Sequence, residues 1–428
     1  MVIENYSLDM ESDVIPRRAL AGAVDSLSAF RAVVVQGARQ VGKSTLAELL
    51  AQELRAPMVT LDREEDLVAA RDDPALFLDM LGSPAVIDEI QRAGDPLVLA
   101  LKQRLDRSRA PGQYVLTGST NFLTTPTISE SLAGRIDLIT LWPLSVGELT
   151  GGSDSFVHRA LMGAAALLDH GGTTPTRGEY LDRICCGGYP EVQRFADRAR
   201  RRWFERYLET VLRREVESAA DLRRFDALLA MARLLMGSTG SELVISGLAD
   251  SLAIDRATAA TYEPWIETTF LVHRVPAWSR KVASKIVRRP KLHVCDTGLA
   301  AAVIGKDPEA LARLNDPSVG PLVESFVIGE IAKQLTWAHT SARLHHFRDR
   351  DGLEVDAIIE TSDGRVVAAE VKASTVARAA DATSMARLRD KLDLVGDDFT
   401  VGVVFHTGNR RVNLGDRLVG LPIADVWT

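Results

Sequence analysis

Over the first 150 residues, short continuous apolar runs alternate with segments of helical periodicity. Ala32–Gln36 (AVVVQ) is an unbroken β-branched run, the mark of a strand buried on both faces, and it leads directly into a glycine-bearing loop. Ser44–Leu54 follows with Leu46, Leu49, Leu50 and Leu54 at the spacing of one helix face. Further apolar runs at Met58–Leu61, Ala85–Ile87 and Gln113–Leu116, each followed by polar residues, predict three more strands. Strands alternating with helices predict an α/β fold with a mostly parallel sheet, in which ligands bind beyond the carboxyl ends of the strands.

Glycines and prolines punctuate the chain from Trp142 to Pro175, Phe156–Leu168 predicts a helix, and Tyr189–Leu212 predicts an aromatic- and arginine-rich helical region. Leu243–Leu248, Ala249–Ile254 and Arg256–Phe270 read as three short helical pieces at helix-turn-helix spacing, with Ser246 capping Leu248–Leu252. Near the end, Glu354, Asp356 and Ile358 alternate with Val355, Ala357 and Ile359. After a turn at Ser362–Gly364, Glu370 and Lys372 alternate with Val367, Ala369 and Val371. The divisions expected are 1–150, 151–222, 223–304 and 305–428.

A length of 428 residues fits two or three domains, and 46% hydrophobic with 25% charged residues excludes wholesale disorder. Lys and Arg number 51 against 58 Asp and Glu, a formal charge of -7, so any nucleic-acid contact is a local basic patch. Cys185, Cys186 and Cys295 are too few and too scattered for a disulfide framework or a four-ligand zinc site. The first twenty residues lack the apolar run of a signal peptide, and the most apolar stretches fall short of the ~18 residues that span a bilayer. A cytoplasmic protein with no membrane partner is expected.

The segment Gly37-Ala38-Arg39-Gln40-Val41-Gly42-Lys43-Ser44 satisfies G-x-x-x-x-G-K-[ST] between a predicted strand and a predicted helix. Such a loop turns backbone N–H groups toward phosphate oxygens, Lys43 reaches the β and γ phosphates, Ser44 ligates Mg²⁺, and Thr45 completes the ATP-binding stretch. The apolar strand before Asp88 and Glu89 supplies the complementary acids: Asp88 for the magnesium shell and Glu89 to orient or deprotonate the attacking water. Beyond the strand ending at Leu116, Ser119 is the chosen γ-phosphate sensor, with Thr117 and Asn121 as rivals. Arg135, before the strand-like Ile136–Leu141, is placed to stabilise γ-phosphate charge in trans, which makes the active ATPase a homo-oligomer.

With Leu141, Pro143, Leu144, Ser145 and Glu148 (L-x-P-L-S-x-x-E) after them, then Lys291–Leu299 (KLHVCDTGL) and Glu354-Val355-Asp356, these motifs stand in an order that resembles a known family. It is the AAA-type prokaryotic ATPases that carry a C-terminal domain of unknown function 4143. The resemblance covers nearly the whole chain. It implies a P-loop NTPase core of AAA type with a helical lid, then a winged-helix-like module, then an α/β restriction-nuclease-like domain, with ATP and Mg²⁺ as cofactors. A second, lid arginine on the γ-phosphate is also implied, and Arg198, Arg201, Arg213 and Arg214 are equal candidates. Arg213-Arg214-Glu215 departs from the family's arginine–aspartate pair.

From Ala277 to Val294 there are six basic residues, Arg280, Lys281, Lys285, Arg288, Arg289 and Lys291, and no acid. The strip suits phosphate contacts of double-stranded DNA or the solvated face of a module that binds a protein partner. Trp203, Phe204 and Tyr207 read as an apolar helix stripe among arginines. Asp356, Glu370 and Lys372, with Glu324 as a further acidic ligand, form a candidate second metal site, Asp356 and Glu370 holding Mg²⁺ and Lys372 activating water. This arrangement resembles the PD-(D/E)XK nucleases, with E-x-K intact as Glu370-Val371-Lys372 but no proline before Asp356. His345 and His346 form no joint site, His273 and His293 read as structural, and Cys185 and Cys186 as packing residues. The leading expectation is an ATPase coupling its nucleotide state to a partner- or DNA-binding C-terminal region. A Mg²⁺-dependent, ATP-dependent DNA nuclease and a nucleotide-gated scaffold with slow turnover stand beside it.

Overall fold

The computed structural model describes residues 14–118, 132–218, 225–279, 289–313, 315–396 and 398–428. Five parallel strands, Ala32–Gln36 (β1), Met58–Thr60 (β2), Ala85–Asp88 (β3), Tyr114–Gly118 (β4) and Ile136–Thr140 (β5), lie in the order β2-β3-β4-β1-β5. Every side chain of β1 up to Val35 is buried, and neighbours serve opposite faces. Val33 and Val35 pack with Leu46 and Leu50 of the following helix, while Val34 packs with Ile87, Leu116 and Leu101. Each fully buried Val or Leu contributes about 1.5–3 kcal/mol. Because β1 runs between β4 and β5, the loop after it emerges at the interior of the sheet, beside the carboxyl ends of β3 and β4.

Beyond the core, the stretch expected as one helix over Phe156–Leu168 is two, Phe156–Leu161 and Ala164–Leu168, divided at Gly163 with φ 94°. Strands Ser241–Glu242 (β6), Val272–Val275 (β7) and Lys291–Val294 (β8) form an antiparallel sheet in the order β6-β8-β7. Helices Phe225–Gly237, Ile245–Leu252 and Arg256–Thr268 accompany it. Here the two expected pieces over Leu243–Ile254 are a single helix, and Ser246 lies in its first turn without capping it. The reason is the pairing of β6 with β8, continued by Leu243 N–H donating to the Pro290 carbonyl (2.9 Å), which leaves the helix to begin directly after Val244.

Six strands close the chain: Ala342–Arg348 (β9), Glu354–Thr361 (β10), Val366–Lys372 (β11), Phe399–His406 (β12), Val412–Gly415 (β13) and Leu418–Pro422 (β14), in the order β13-β14-β12-β11-β10-β9. β9, β10 and β11 are antiparallel neighbours, and β11, β12 and β14 run parallel. Helix Val319–Leu335 packs on one face with Val367 and Ala369, and helix Thr383–Asp393 packs on the other with Val366 and Val404. The strict alternation expected along β10 fails: Val355 and Ile358 share one face while Ala357 and Ile359 share the other. A register shift against β9 between Val355 and Ile358 is the cause, since an extra residue on one strand re-aims the side chains beyond it.

One apolar core continues from Ala23 and Leu46 through Phe204 and Leu235 to Val327 and Trp427, so the C-terminal half packs directly on the first. The Trp203 and Tyr207 rings stack at 4.9 Å within that core, and Arg202 and Arg206 face solvent, the pattern of an amphipathic stripe. Among the described residues no helix is long and apolar enough to cross a membrane.

Several charged groups buried in the seam are paired. Ser145 and Glu148 form a capping box, Ser145 Oγ donates to Asp154 (2.7 Å), and Glu148 accepts Arg17 Nε (3.1 Å). Glu330, nearly 200 residues further on, accepts the Val146 N–H (2.8 Å) and pairs with Lys333 (2.6 Å), whose ammonium also donates to the Leu144 carbonyl (3.0 Å). Gly147 is required here, because a Cβ would lie 2.1 Å from the Asp154 carboxylate. Burial pushes the Asp154 carboxyl up to about 7, against the Ser145 hydrogen bond and with the charges of Glu330 and Glu148 adding to the rise. The unfolded carboxyl titrates near about 3.9, so the native state keeps a proton that the unfolded chain has released. That contribution is complete at low pH and lost as pH rises through about 7. Asp154→Asn is therefore expected to flatten the fall in melting temperature between about pH 4 and pH 7; wild-type and variant curves that run parallel would contradict this origin.

Candidate nucleotide site

β1 ends where the chain must turn tightly. Gly37 takes φ 154° with its Cα against the Leu141 carbonyl, where a Cβ would come within 2.2 Å of the oxygen. Gly42, at φ 94°, sets the chain into helix Lys43–Leu54, so that the helix begins at Lys43, one residue earlier than expected. The unpaired N–H groups of that helix end favour an anion. Lys43 is 5% exposed and its Nζ donates to the carbonyls of Gly37 (3.0 Å) and Ala38 (2.9 Å). Burial holds its ammonium below the usual value, opposed by Glu89 and Asp88 and reinforced by Arg39.

Asp88, at the end of β3, is buried and gathers three hydroxyl groups. Ser44 Oγ lies 3.2 and 3.1 Å from its two oxygens, Thr60 Oγ1 donates at 3.2 Å from β2, and Thr117 Oγ1 donates from β4. Thr117 in turn accepts the Glu89 N–H (3.0 Å). A serine hydroxyl against a buried carboxylate beside a lysine is a donor set suited to a small hard cation with phosphate. Glu89 has φ 56° and ψ 42°, a left-handed conformation that costs a non-glycine residue energy and that clusters at functional sites. Its carboxylate is bonded by the Gln91 side-chain amide.

Ser44, Asp88 and Glu89 thus come together around the loop, with Thr117 interposed. Ser119 and Asn121 lie outside the described residues. Arg135 makes a two-pronged pair with Asp106 of its own chain, at 2.6 and 3.0 Å. Of the lid candidates, Arg198 is exposed, Arg201 pairs with Asp307 (3.3 Å), Arg213 lies over the Phe225 ring, and the Arg214 side chain is outside the described residues.

Two supports of the loop carried no sequence signal. Arg17 donates to the carbonyls of Val41 (2.6 Å) and Trp142 (2.7 Å) while paired with Glu148, so it clamps the loop from beneath. Tyr207, placed by periodicity on an apolar stripe, donates to the Arg39 carbonyl (3.0 Å) and accepts from Tyr189 (3.1 Å). Both are isolated residues whose partners are brought near only by folding.

At the far end, Asp356 accepts the Val371 N–H (3.0 Å), and Glu370 pairs with Lys372 (3.0 Å). Burial, then the Asp356 charge, raises the Glu370 carboxyl, and the same two causes raise Glu324. Lys291 departs from its expected place in an exposed basic strip. It is 4% exposed and pairs with Glu324 (3.1 Å), Glu354 (2.9 Å) and Asp356 (3.3 Å). Alternation along β8 puts Lys291 and His293 on one face, toward helix Val319–Leu335, where His293 Nδ1 meets Ser325 Oγ at 2.9 Å. Of the strip, Arg280, Lys281, Lys285 and Arg288 are outside the described residues.

Residues 29–150 match the family described as AAA domain, residues 177–310 a Domain of unknown function (DUF8612), and residues 319–426 a Domain of unknown function (DUF4143). Uncharacterized proteins of Mycobacterium tuberculosis and Mycobacterium bovis are each 28% identical over 403 residues, covering 92% of this chain and 81% of theirs. Among solved structures, a Walker-type ATPase of Pyrococcus abyssi is 15% identical with a TM-score of 0.40, covering 69% of this chain and 97% of its own. A RuvB variant of Thermotoga maritima is 20% identical with a TM-score of 0.28, covering 60% and 86%. The chain carries an AAA-type ATPase domain and, at its C-terminal end, a DUF4143 domain.

The Tyr207 bond to the loop gives a direct test. Tyr207→Phe removes one hydrogen bond, worth about 1 kcal/mol, and is expected to weaken adenine-nucleotide binding roughly five-fold with the fold intact. An unchanged dissociation constant by calorimetry would show that the loop is held without it.

Proposed function

We propose that this protein hydrolyses ATP at the Gly37–Thr45 loop and passes its nucleotide state to a C-terminal half that binds a partner. The observation that carries this reading is the Ser44–Asp88–Thr117–Glu89 constellation at the carboxyl ends of three adjacent strands. Magnesium, held by Ser44 with Asp88 behind it, would neutralise charge on the phosphate oxygens. Backbone N–H groups from Gly37 to Ser44 and the Lys43 ammonium bind the phosphates, with Lys43 exchanging the Gly37 and Ala38 carbonyls for phosphate oxygens. Thr117 fixes the backbone of Glu89 through its N–H, and the Glu89 carboxylate takes a proton from the water that attacks the γ-phosphorus. ADP and inorganic phosphate are the products.

The route to the C-terminal half is a run of buried hydrogen bonds. Arg17 bonds both the loop at Val41 and the Glu148 carboxylate, and the Leu144–Glu148 segment is bonded to Glu330 and Lys333 of helix Val319–Leu335 through the Val146 N–H and the Leu144 carbonyl. We read the unit around β6, β7 and β8 as winged-helix-like, supported by its helix–strand–helix–helix–strand–strand order. The last sheet is read as nuclease-like, supported by a helix, three antiparallel strands, a helix and a parallel strand in sequence. Arg135 acts in a neighbouring copy, exchanging Asp106 for γ-phosphate charge, so the working form is a homo-oligomer in the cytoplasm.

Glu89→Gln is expected to bind ATP with Mg²⁺ as the wild type does and to lose about a hundred-fold or more in turnover. Wild-type turnover in this variant would remove Glu89 from the chemistry. Mixing Glu89→Gln with Arg135→Ala chains is expected to restore activity above that of either alone, because each supplies the group the other lacks; strictly additive rates would place Arg135 outside the neighbour's site.

A further inference from the structure

We infer that Lys291 is the resident cation of the carboxylate cluster in the last domain, holding the position that a catalytic divalent ion would need. This rests on the nuclease-like reading only for where such an ion would bind. Glu324 comes from helix Val319–Leu335, and Glu354 and Asp356 come from β10, yet the cation among them arrives from β8, in a different sheet.

An ammonium group has three N–H donors and no acceptor. Lys291 has three carboxylate oxygens at 2.9, 3.1 and 3.3 Å, one from each acid, so its donors are matched. Those are hydrogen-bond lengths, whereas a magnesium or calcium ion requires oxygens at about 2.0–2.6 Å. Both oxygens of Asp356 already accept a hydrogen bond, one from Lys291 (3.3 Å) and the other from the Val371 N–H (3.0 Å). Glu370 is occupied by Lys372 at 3.0 Å. A divalent ion beside Asp356 would stand within a few ångströms of a buried ammonium, where like charges repel strongly. The donor set therefore does not fit a metal while Lys291 is in place.

Among the described residues, the surroundings of the lysine hold it in place. Its side chain is 5% exposed. β8 is tied to the same helix by Thr239 Oγ1, which accepts the Val294 N–H (3.0 Å) and meets Ser325 Oγ (2.7 Å). The chain after β7 is joined to β9, with Trp278 N–H donating to the His346 carbonyl (2.6 Å) and His346 N–H to the Pro276 carbonyl (3.0 Å). Lys291 thus offsets part of the cluster's charge and fastens the three-stranded unit to the six-stranded sheet, so that in this conformation the acids hold the two units together and do not bind a divalent ion.

The test is Mn²⁺ binding to the full chain without nucleotide, by calorimetry and by the paramagnetic resonance of free Mn²⁺, together with melting temperature in EDTA. Wild type and Asp356→Asn are expected to give the same Mn²⁺ isotherm. Lys291→Ala is expected to melt lower in EDTA and to gain a Mn²⁺ site about ten-fold or more tighter than any in that part of the wild type, lost again in Lys291→Ala with Asp356→Asn. Lys291→Arg, which keeps the charge, is expected to gain none. A lower melting temperature with no new Mn²⁺ site would still support Lys291 as the resident cation while sinking the nuclease-like reading of these acids. A wild-type Mn²⁺ site abolished by Asp356→Asn would overturn the inference, and this comparison stands even if Lys291→Ala does not fold. Unchanged melting of a folded Lys291→Ala would overturn it as well.

Discussion

A charge taken out of water must be paired, and this constraint organises the seam between the nucleotide core and the C-terminal half. Arg17, Glu148, Glu330 and Lys333 are all buried, and each is bonded to a group distant in sequence. Breaking one partner from such a set costs about 3–5 kcal/mol, because the other is stranded in the interior. The seam is therefore a single connected unit of bonded groups. Since Arg17 also holds the Val41 carbonyl, the phosphate loop is part of that unit. The proposed coupling needs no flexible linker: the apolar core is continuous across the two halves, and the polar contacts within it fix one register.

What was legible in the sequence was local. The phosphate loop, its flanking strand and helix, and the Asp88–Glu89 pair are contiguous motifs, and a parallel sheet follows from buried runs alternating with helices. What was not legible depends on contacts between distant segments. The β10 register shift cannot be read from alternation, since the partner strand imposes it. Thr60 reaches Asp88 only because β2 lies beside β3. Lys291 looked like one member of a basic strip because composition counts charge and not direction; its acidic partners lie 33 to 65 residues further along the chain. The alternation of Lys291 with His293 on a four-residue strand was the available signal, and it points both toward helix Val319–Leu335.

Two sets of acids in this chain have different surroundings, and the difference carries the functional argument. Asp88 is met by neutral hydroxyls of Ser44, Thr60 and Thr117, which leaves its charge available to a cation. Asp356, Glu324 and Glu354 share one ammonium, which offsets part of theirs. The proposed chemistry accordingly rests on the first set and the proposed cohesion on the second. The aromatic stripe of Trp203, Phe204 and Tyr207 serves both ends, filling the shared core while Tyr207 reaches the Arg39 carbonyl.

Hydrogen exchange read by mass spectrometry on the Glu89→Gln chain, with and without ATP and Mg²⁺, tests the coupling most directly. The account predicts altered protection in the phosphate loop, in residues 144–154 and in helix Val319–Leu335 together, because one paired seam joins them. Changes confined to residues 29–150, with that helix exchanging at the same rate in both states, would contradict it.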